Sequence, residues 1–241
     1  MIVDADLSGL EWRVGAELSR DPVMIAEIVA GEDIHMNNSR TIFNDEEHRQ
    51  ISKTISFRSL YGGTAAGFFY DRNMPSFSMK RWIEIMEAFC AKYSRLIKWQ
   101  NENYALVRNQ GWLQTFTGRI YVFEKSSQFD GSLDYSRPAV CNYPVQGTAT
   151  ADIVPLVMCQ IKNRLQKEKM YDIKIINQVH DSIVFDTPKK DVDKLAKICY
   201  YYFRTIPESV FKYWGYEWIT PMDGEVKVGN DWSNMQKVKF L

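Results

Sequence analysis

The sequence has no excess of charge of either sign. Thirty Lys and Arg balance thirty Asp and Glu across 241 residues, so the formal charge is zero. Global charge therefore gives no argument for a nucleic-acid partner, and any such surface has to be a local patch. Cysteine is scarce. Cys90, Cys141, Cys159 and Cys199 are too far apart to form a CxxC pair, which removes the case for a zinc or redox motif. They read as buried thiols of a reducing compartment. No apolar run approaches the roughly 20 residues of a membrane span. The opening Met1-Ile2-Val3-Asp4 has no basic segment followed by an apolar core. A cytoplasmic location without a membrane partner is expected. Internal repeats and low-complexity tracts are missing too. What is there is 45% apolar and 25% charged, a globular composition long enough for one large or two modest domains.

Ile2 to Leu7 reads as a strand, and residues 9 to 30 as two helices, the second opened by Pro22 with Asp21 as its cap. Asn44-Asp45-Glu46-Glu47 has the form of a capping box and predicts a helix from Asp45 to Tyr61, ended by Gly62-Gly63. Ser78 caps a further helical stretch with Trp82, Ile83, Met86, Phe89 and Cys90 on one face. It breaks near Ser94 and runs on to Asn109, where Gly111 stops it. Gly111 to Phe123 predicts a hairpin around Thr117-Gly118, and residues 126 to 137 a polar loop. Pro155, costly in a helix interior, belongs in the first turn of a helix over 150 to 169, capped by Thr150 or Asp152. A hairpin from Ile173 to Phe185, a helix from Lys190 to Phe203 and a strand from Glu225 to Val228 follow. Few strands scattered among long helices is an α+β pattern: a small, mostly antiparallel sheet with a helical insertion after the first strand.

The hairpin turns on His180-Asp181, without glycine, so an ionisable pair sits at the tip of an apolar ribbon. Asp6 ends the first strand. If both elements share one sheet, two carboxylates can meet at its edge, and carboxylates without His or Cys companions suit Mg²⁺. Two unrelated surface acids are the alternative. In the helix from Asp45, Arg49, Lys53, Phe57 and Tyr61 recur every four residues along one side. Two cations followed by two rings match the phosphates, sugar and base of a nucleoside triphosphate. A helix with a merely solvated basic end is the alternative there.

Taken in order, these residues resemble a known family. Asp4-Ala-Asp6-Leu-Ser-Gly-Leu-Glu11-Trp-Arg13 is similar to motif A of family A DNA polymerases, closest to the phage-type form. Arg49-x3-Lys53-x3-Phe57-x3-Tyr61-Gly62 resembles motif B, and Gln178-Val-His180-Asp181 resembles motif C. Gly31-Glu-Asp-Ile-His35 and Asn142-Tyr-Pro-Val-Gln146-Gly-Thr resemble two further elements of the family, and Gly111-Trp-Leu-Gln-Thr and Gly118-Arg119 also have counterparts. All stand in family order across almost the whole chain.

The resemblance implies a right-hand polymerase fold, with palm at 1–13 and 136–241 and fingers at 14–135. It implies a DNA-templated DNA polymerase acting on primer-template DNA and dNTPs, in a bacterial host or a virus-infected cell. Asp6 and Asp181 would hold two Mg²⁺. Arg49, Lys53 and His35 would contact phosphates, with Lys53 the proton donor to pyrophosphate. Phe57 would pack near the sugar and Tyr61 near the templating position. Glu11 would be the steric gate, which argues against the related single-subunit RNA polymerases. Arg13, Asn142, Gln146 and His180 would face DNA.

The chain also departs from the family pattern. Ser182 stands where a Glu usually follows the motif C Asp, and Asp4, two residues before Asp6, is a candidate to compensate. Arg58 replaces a Gly, adding bulk or a phosphate contact. Arg137 lies five residues before Asn142 rather than four. The stretch from Gln146 to Asp152 carries one residue more than usual. Opening on motif A implies the palm and fingers portion alone, with the thumb, and sometimes an exonuclease, supplied by a separate protein. A catalytically weak module that binds nucleic acid or a replication partner is the alternative.

Overall fold

The computed structural model describes residues 1–127 and 131–238. The chain divides into two compact units, one built from Met1–Glu11 and Gln146–Leu241, the other from Trp12–Val145.

In the first unit the described strands form one antiparallel sheet. They are β1 (Ile2–Leu7), β6 (Lys174–Val179), β7 (Ser182–Asp186), β8 (Gly224–Gly229) and β9 (Gln236–Lys237), ordered β6-β7-β1-β8-β9. Strand β1 alternates strictly: Val3, Ala5 and Leu7 are fully buried while Asp4 and Asp6 stay half-buried on the other face. Helix α9 (Val154–Lys167) buries Val154, Val157, Ile161 and Leu165, and α10 (Val192–Arg204) buries Leu195, Ala196, Ile198, Cys199 and Phe203, each at helical spacing. Helix α11 (Ile206–Trp214) follows, begun by Pro207 in its first turn and ended by Gly215 at φ 65. At the start of β8, Gly224 is obligatory for packing: a Cβ there would strike the Phe203 ring and the Asp6 carbonyl oxygen.

The second unit is helical: α1 (Leu10–Ser19, begun in the first unit), α2 (Pro22–Ala30), α3 (Ile34–Phe43), α4 (Arg49–Leu60), α5 (Ala65–Phe69), α6 (Met79–Lys92), α7 (Ser94–Gln110) and α8 (Arg137–Gln146). Two short ladders accompany it, β2 (Trp112–Gln114) with β3 (Ile120–Val122), and β4 (Lys125–Ser127) with β5 (Leu133–Tyr135). Asp21 caps α2 as expected, and Gly111 closes α7 at φ 82. Ser78 caps α6 by accepting from the Arg81 N–H.

Several expectations are corrected. Asn44 does not start α4; it ends α3 in the left-handed region at φ 61, and α4 begins after His48 without a side-chain cap. The face of α6 that reaches the core is Trp82, Ile85 and Phe89, and Ile83 is exposed. The stretch 126 to 137 is not only loop. It holds the β4–β5 ladder around residues 128 to 130, which lie outside the described residues, and α8 begins at Arg137. Val140 of α8 packs with Val107, Leu113 and Phe123, which is why α8 joins the second unit. Neither Thr150 nor Asp152 caps a helix. The chain stays helical from α8 through a π-helical segment, Gly147–Ile153, into α9, with the Val154 N–H bonded to Ala149 O. That i→i−5 bond is the contact of a π turn. Not all four cysteines are buried: Cys141 and Cys199 are, Cys90 is half-buried and Cys159 exposed. Burial pushes the Cys141 thiol up to about 11. Among the described residues no helix is long and apolar enough to cross a membrane.

Candidate active site

In the first unit the sheet register builds an acidic edge. Asp6 pairs with Ser182 of β7 on one side and Glu225 of β8 on the other. Asp181 is the next residue, in the two-residue turn between β6 and β7. His180 takes the left-handed conformation there at φ 54, so no glycine is needed. The Asp181 carbonyl accepts from the Leu7 N–H at 3.1 Å, which ties the turn to the end of β1. Asp4, on the Asp6 face, accepts a hydrogen bond from the Ser182 hydroxyl.

The electrostatics follow from that register. Burial, then the Asp181 and Asp4 charges, raise the Asp6 carboxyl to about 6, with Lys227 opposing. Asp181 is also raised, by burial first, with a hydrogen bond to its own backbone N–H and the nearby His180 opposing and Asp4 adding. Lys227 is itself held by Glu225 at 2.7 Å, and Lys237 by the same carboxylate at 2.8 Å. Among the described residues no three His, Cys, Asp or Glu side chains gather into a metal-holding group. The donor set at Asp6 and Asp181 is nonetheless all oxygen, with the Asp4 charge close by, and that chemistry fits a hard divalent cation.

The second unit holds a cationic and aromatic group. Helix α4 turns Ser52, Ile55, Ser56, Ser59 and Leu60 into the core, so Arg49, Lys53, Phe57 and Tyr61 lie along the other side. His35, from the first turn of α3, approaches Phe57 with ring centroids 5.7 Å apart. Burial, then Lys53 and Arg49, lower its pKa, with Asp33 opposing. Trp12 backs Phe57 edge-on at 6.4 Å and Tyr93 at 5.4 Å. Arg58 is already engaged: it pairs with Asp71 at 2.6 Å, donates to Gly67 O at 3.1 Å and lies 4.4 Å over the Phe68 ring. It braces α5 against α4, and a phosphate contact would cost these bonds.

The structure thus brings Asp6 together with Asp181, and His35 together with Arg49, Lys53 and Phe57. Tyr61 stands at the end of α4, half-buried. Glu11 and Arg13 lie in the first turn of α1, both half-buried. Asn142 and Gln146 are one turn apart in α8, half-buried and exposed, and His180 is exposed. Sequence reasoning missed Asp33 and Asn38. Asp33 caps α3 and pairs with Arg49 at 2.8 Å. Asn38 donates to Ser56 of α4 at 2.7 Å and accepts from Tyr93 and Lys92 at 2.8 Å. An Asp two residues before His35 was a readable cap signal; nothing local marks Asn38.

Comparison with known proteins adds an independent line. The model of the family described as DNA polymerase family A matches residues 1–234. DNA polymerase I of Chloroflexus aurantiacus is 26% identical over 239 residues, 97% of this chain and 24% of that protein. The thermostable DNA polymerase I of Thermus aquaticus is 28% identical, over 96% of this chain and 27% of its own length. The chain thus spans about a quarter of the length of the curated relatives it matches. Among solved structures, the POL domain of Pol1 from M. smegmatis, in complex with DNA primer-template and dNTP, superposes with a TM-score of 0.79 at 23% identity. It covers 96% of this chain and 40% of that one. That likeness supports the α+β polymerase-domain fold.

Proposed function

The chain belongs to DNA polymerase family A, and from that premise we propose that it is the catalytic module of a DNA-templated DNA polymerase. It adds dNTPs to a primer 3′-hydroxyl by nucleotidyl transfer. The first unit acts as palm and the second as fingers. The observation that carries the reading is the register of β1, β7 and the His180-Asp181 turn, which supports a shared role for Asp6 and Asp181.

Asp6 and Asp181 would hold two Mg²⁺. When bound, Mg²⁺ offsets their like charge, lowers the pKa of the primer hydroxyl and neutralises charge on the leaving pyrophosphate. Arg49, Lys53 and His35 gather the triphosphate. His35, with its lowered pKa, is neutral at pH 7 and acts as an N–H donor. Lys53, exposed on α4, gives its proton to pyrophosphate. Phe57, held by Trp12 and His35, packs the sugar, and Tyr61 stands by the templating base. Glu11 excludes a ribose 2′-hydroxyl. Arg13, Asn142, Gln146 and His180 contact primer-template. Asp4, bonded to Ser182, supplies the carboxylate that Ser182 lacks. A thumb to grip DNA comes from outside these residues.

The test is Mg²⁺-dependent primer extension with a thumb-bearing partner added. Asp181→Ala is expected to reduce extension by at least about 100-fold, since metal stabilisation is worth several kcal/mol. Undiminished extension would remove Asp181 from the site. Ser182, standing where a Glu usually follows Asp181, favours a second reading, a weak polymerase-like module that binds nucleic acid or a replication partner. Extension absent with every partner tried would select it.

A further inference from the structure

The Asp33 carboxylate does two jobs with two different oxygens. Its Oδ1 accepts from the backbone N–H groups of His35 at 3.1 Å and Met36 at 3.0 Å, capping α3. Its Oδ2 accepts from Arg49 Nε at 2.8 Å, across from α3 to the first residue of α4. Both side chains are 44% exposed, so the pair is open to an arriving ligand. Partial burial works against ionisation of Asp33, but the Arg49 hydrogen bond and the Met36 N–H outweigh it and hold the carboxyl below its usual range. The guanidinium that binds phosphate in the proposed function is therefore already engaged by an anion of the chain's own.

We infer that Asp33 is a placeholder for the triphosphate: it holds Arg49 in the free chain and releases it when a polyphosphate takes over the guanidinium. The inference rests on the proposed triphosphate role of Arg49. Carboxylate and phosphate compete for the same guanidinium donors. Phosphate is the stronger rival because Lys53 and His35 also serve it, as their effect on one another shows: Lys53 and Arg49 both depress the His35 pKa. Release costs little elsewhere, since the Oδ1 cap stays in place. An exposed ion pair is worth a factor of about 1.4 to 5 in an equilibrium, so Asp33 sets a modest threshold that a single weak anion fails to pass.

The two oxygens make the test clean. Asp33→Asn and Asp33→Ser keep a capping oxygen and remove the competing charge. Inorganic tripolyphosphate is titrated into the metal-free full chain by calorimetry. Both variants are expected to tighten binding about 2- to 5-fold. The gain should vanish in an Arg49→Ala background. Glu32→Gln, which neutralises the neighbouring acid bonded to Asn37, should leave affinity unchanged. Unchanged or weaker binding in both Asp33 variants would show that Asp33 orients Arg49 and would overturn the inference while leaving the triphosphate site intact. An equal gain from Glu32→Gln would reduce the effect to diffuse charge and overturn it likewise. If Arg49→Ala does not weaken binding to the unsubstituted chain, the triphosphate reading itself fails, and the placeholder with it.

Discussion

Burial and the charges of Asp181 and Asp4 disfavour an ionised Asp6, and the effect is measurable. Its folded pKa, about 6, lies above the ordinary 3.8, so the folded state binds its proton more tightly than the unfolded chain does. The stability this gives is complete below about pH 4 and is lost as pH rises through 6. In full the linkage would be on the order of 3 kcal/mol. Asp6 is only half-buried, and screening by water leaves about 1 kcal/mol. Asp6→Asn is therefore expected to stabilise the metal-free chain by about 1 kcal/mol at pH 8. It should do almost nothing at pH 3.5. Urea denaturation at the two pH values reads this directly, and equal effects at both would refute a carboxyl raised by burial and neighbouring charge.

At the scale of elements, Asp21 is the case where one residue organises two helices. Its Oδ1 accepts from the Val23 and Met24 N–H groups of α2 at 3.0 and 3.1 Å. Its Oδ2 accepts from the Arg95 and Leu96 N–H groups of α7, both at 3.0 Å. Helix α7 has no side-chain cap from its own N-cap residue, so Asp21 serves as one from seventy-odd residues away. A single cap is worth about 1 kcal/mol, and Asp21 is fully enclosed. Asp21→Ala is expected to cost about 2–4 kcal/mol, because four N–H groups, two of them buried, lose their acceptor. Equilibrium denaturation checks it; a loss within the range of one ordinary cap would mean that the link to α7 contributes nothing. Local pattern announced the α2 half of this arrangement. The α7 half needed the fold.

For the whole molecule, charge balance limits what this chain does with DNA. With thirty basic and thirty acidic residues it has no general field to collect phosphates, and the phosphate backbone supplies most non-specific affinity. Primer-template is expected to bind the chain alone with Kd weaker than about 1 μM at physiological salt. Fluorescence anisotropy with labelled duplex measures it. Nanomolar binding without a partner would show that the cationic groups of the second unit grip DNA without help from a thumb.

The motif residues, the α+β class and the starts of α1, α2 and α6 were legible because they rest on local chemistry. Alternation in β1, Asp21 before Pro22, Ser78 before α6 and glycine after α7 each satisfy nearby backbone groups or one face of one element. The Asn44 reading failed for an instructive reason. A polar residue before two Glu looks the same whether it opens one helix or closes another, and the preceding α3 decided the matter. That Gly147–Ile153 continues α8 into α9 as a π segment, rather than as a break and a new cap, depended on tertiary packing. So did the partners at the acidic edge. Sequence determined that Asp6, Asp181 and the α4 stripe exist and which chemical groups they offer. Only the tertiary structure decided that Asp181 reports to Asp6, that Ser182 leans on Asp4, and that Asp33 occupies Arg49, because hydrogen-bond register and helix packing join residues whose separation along the chain carries no signal.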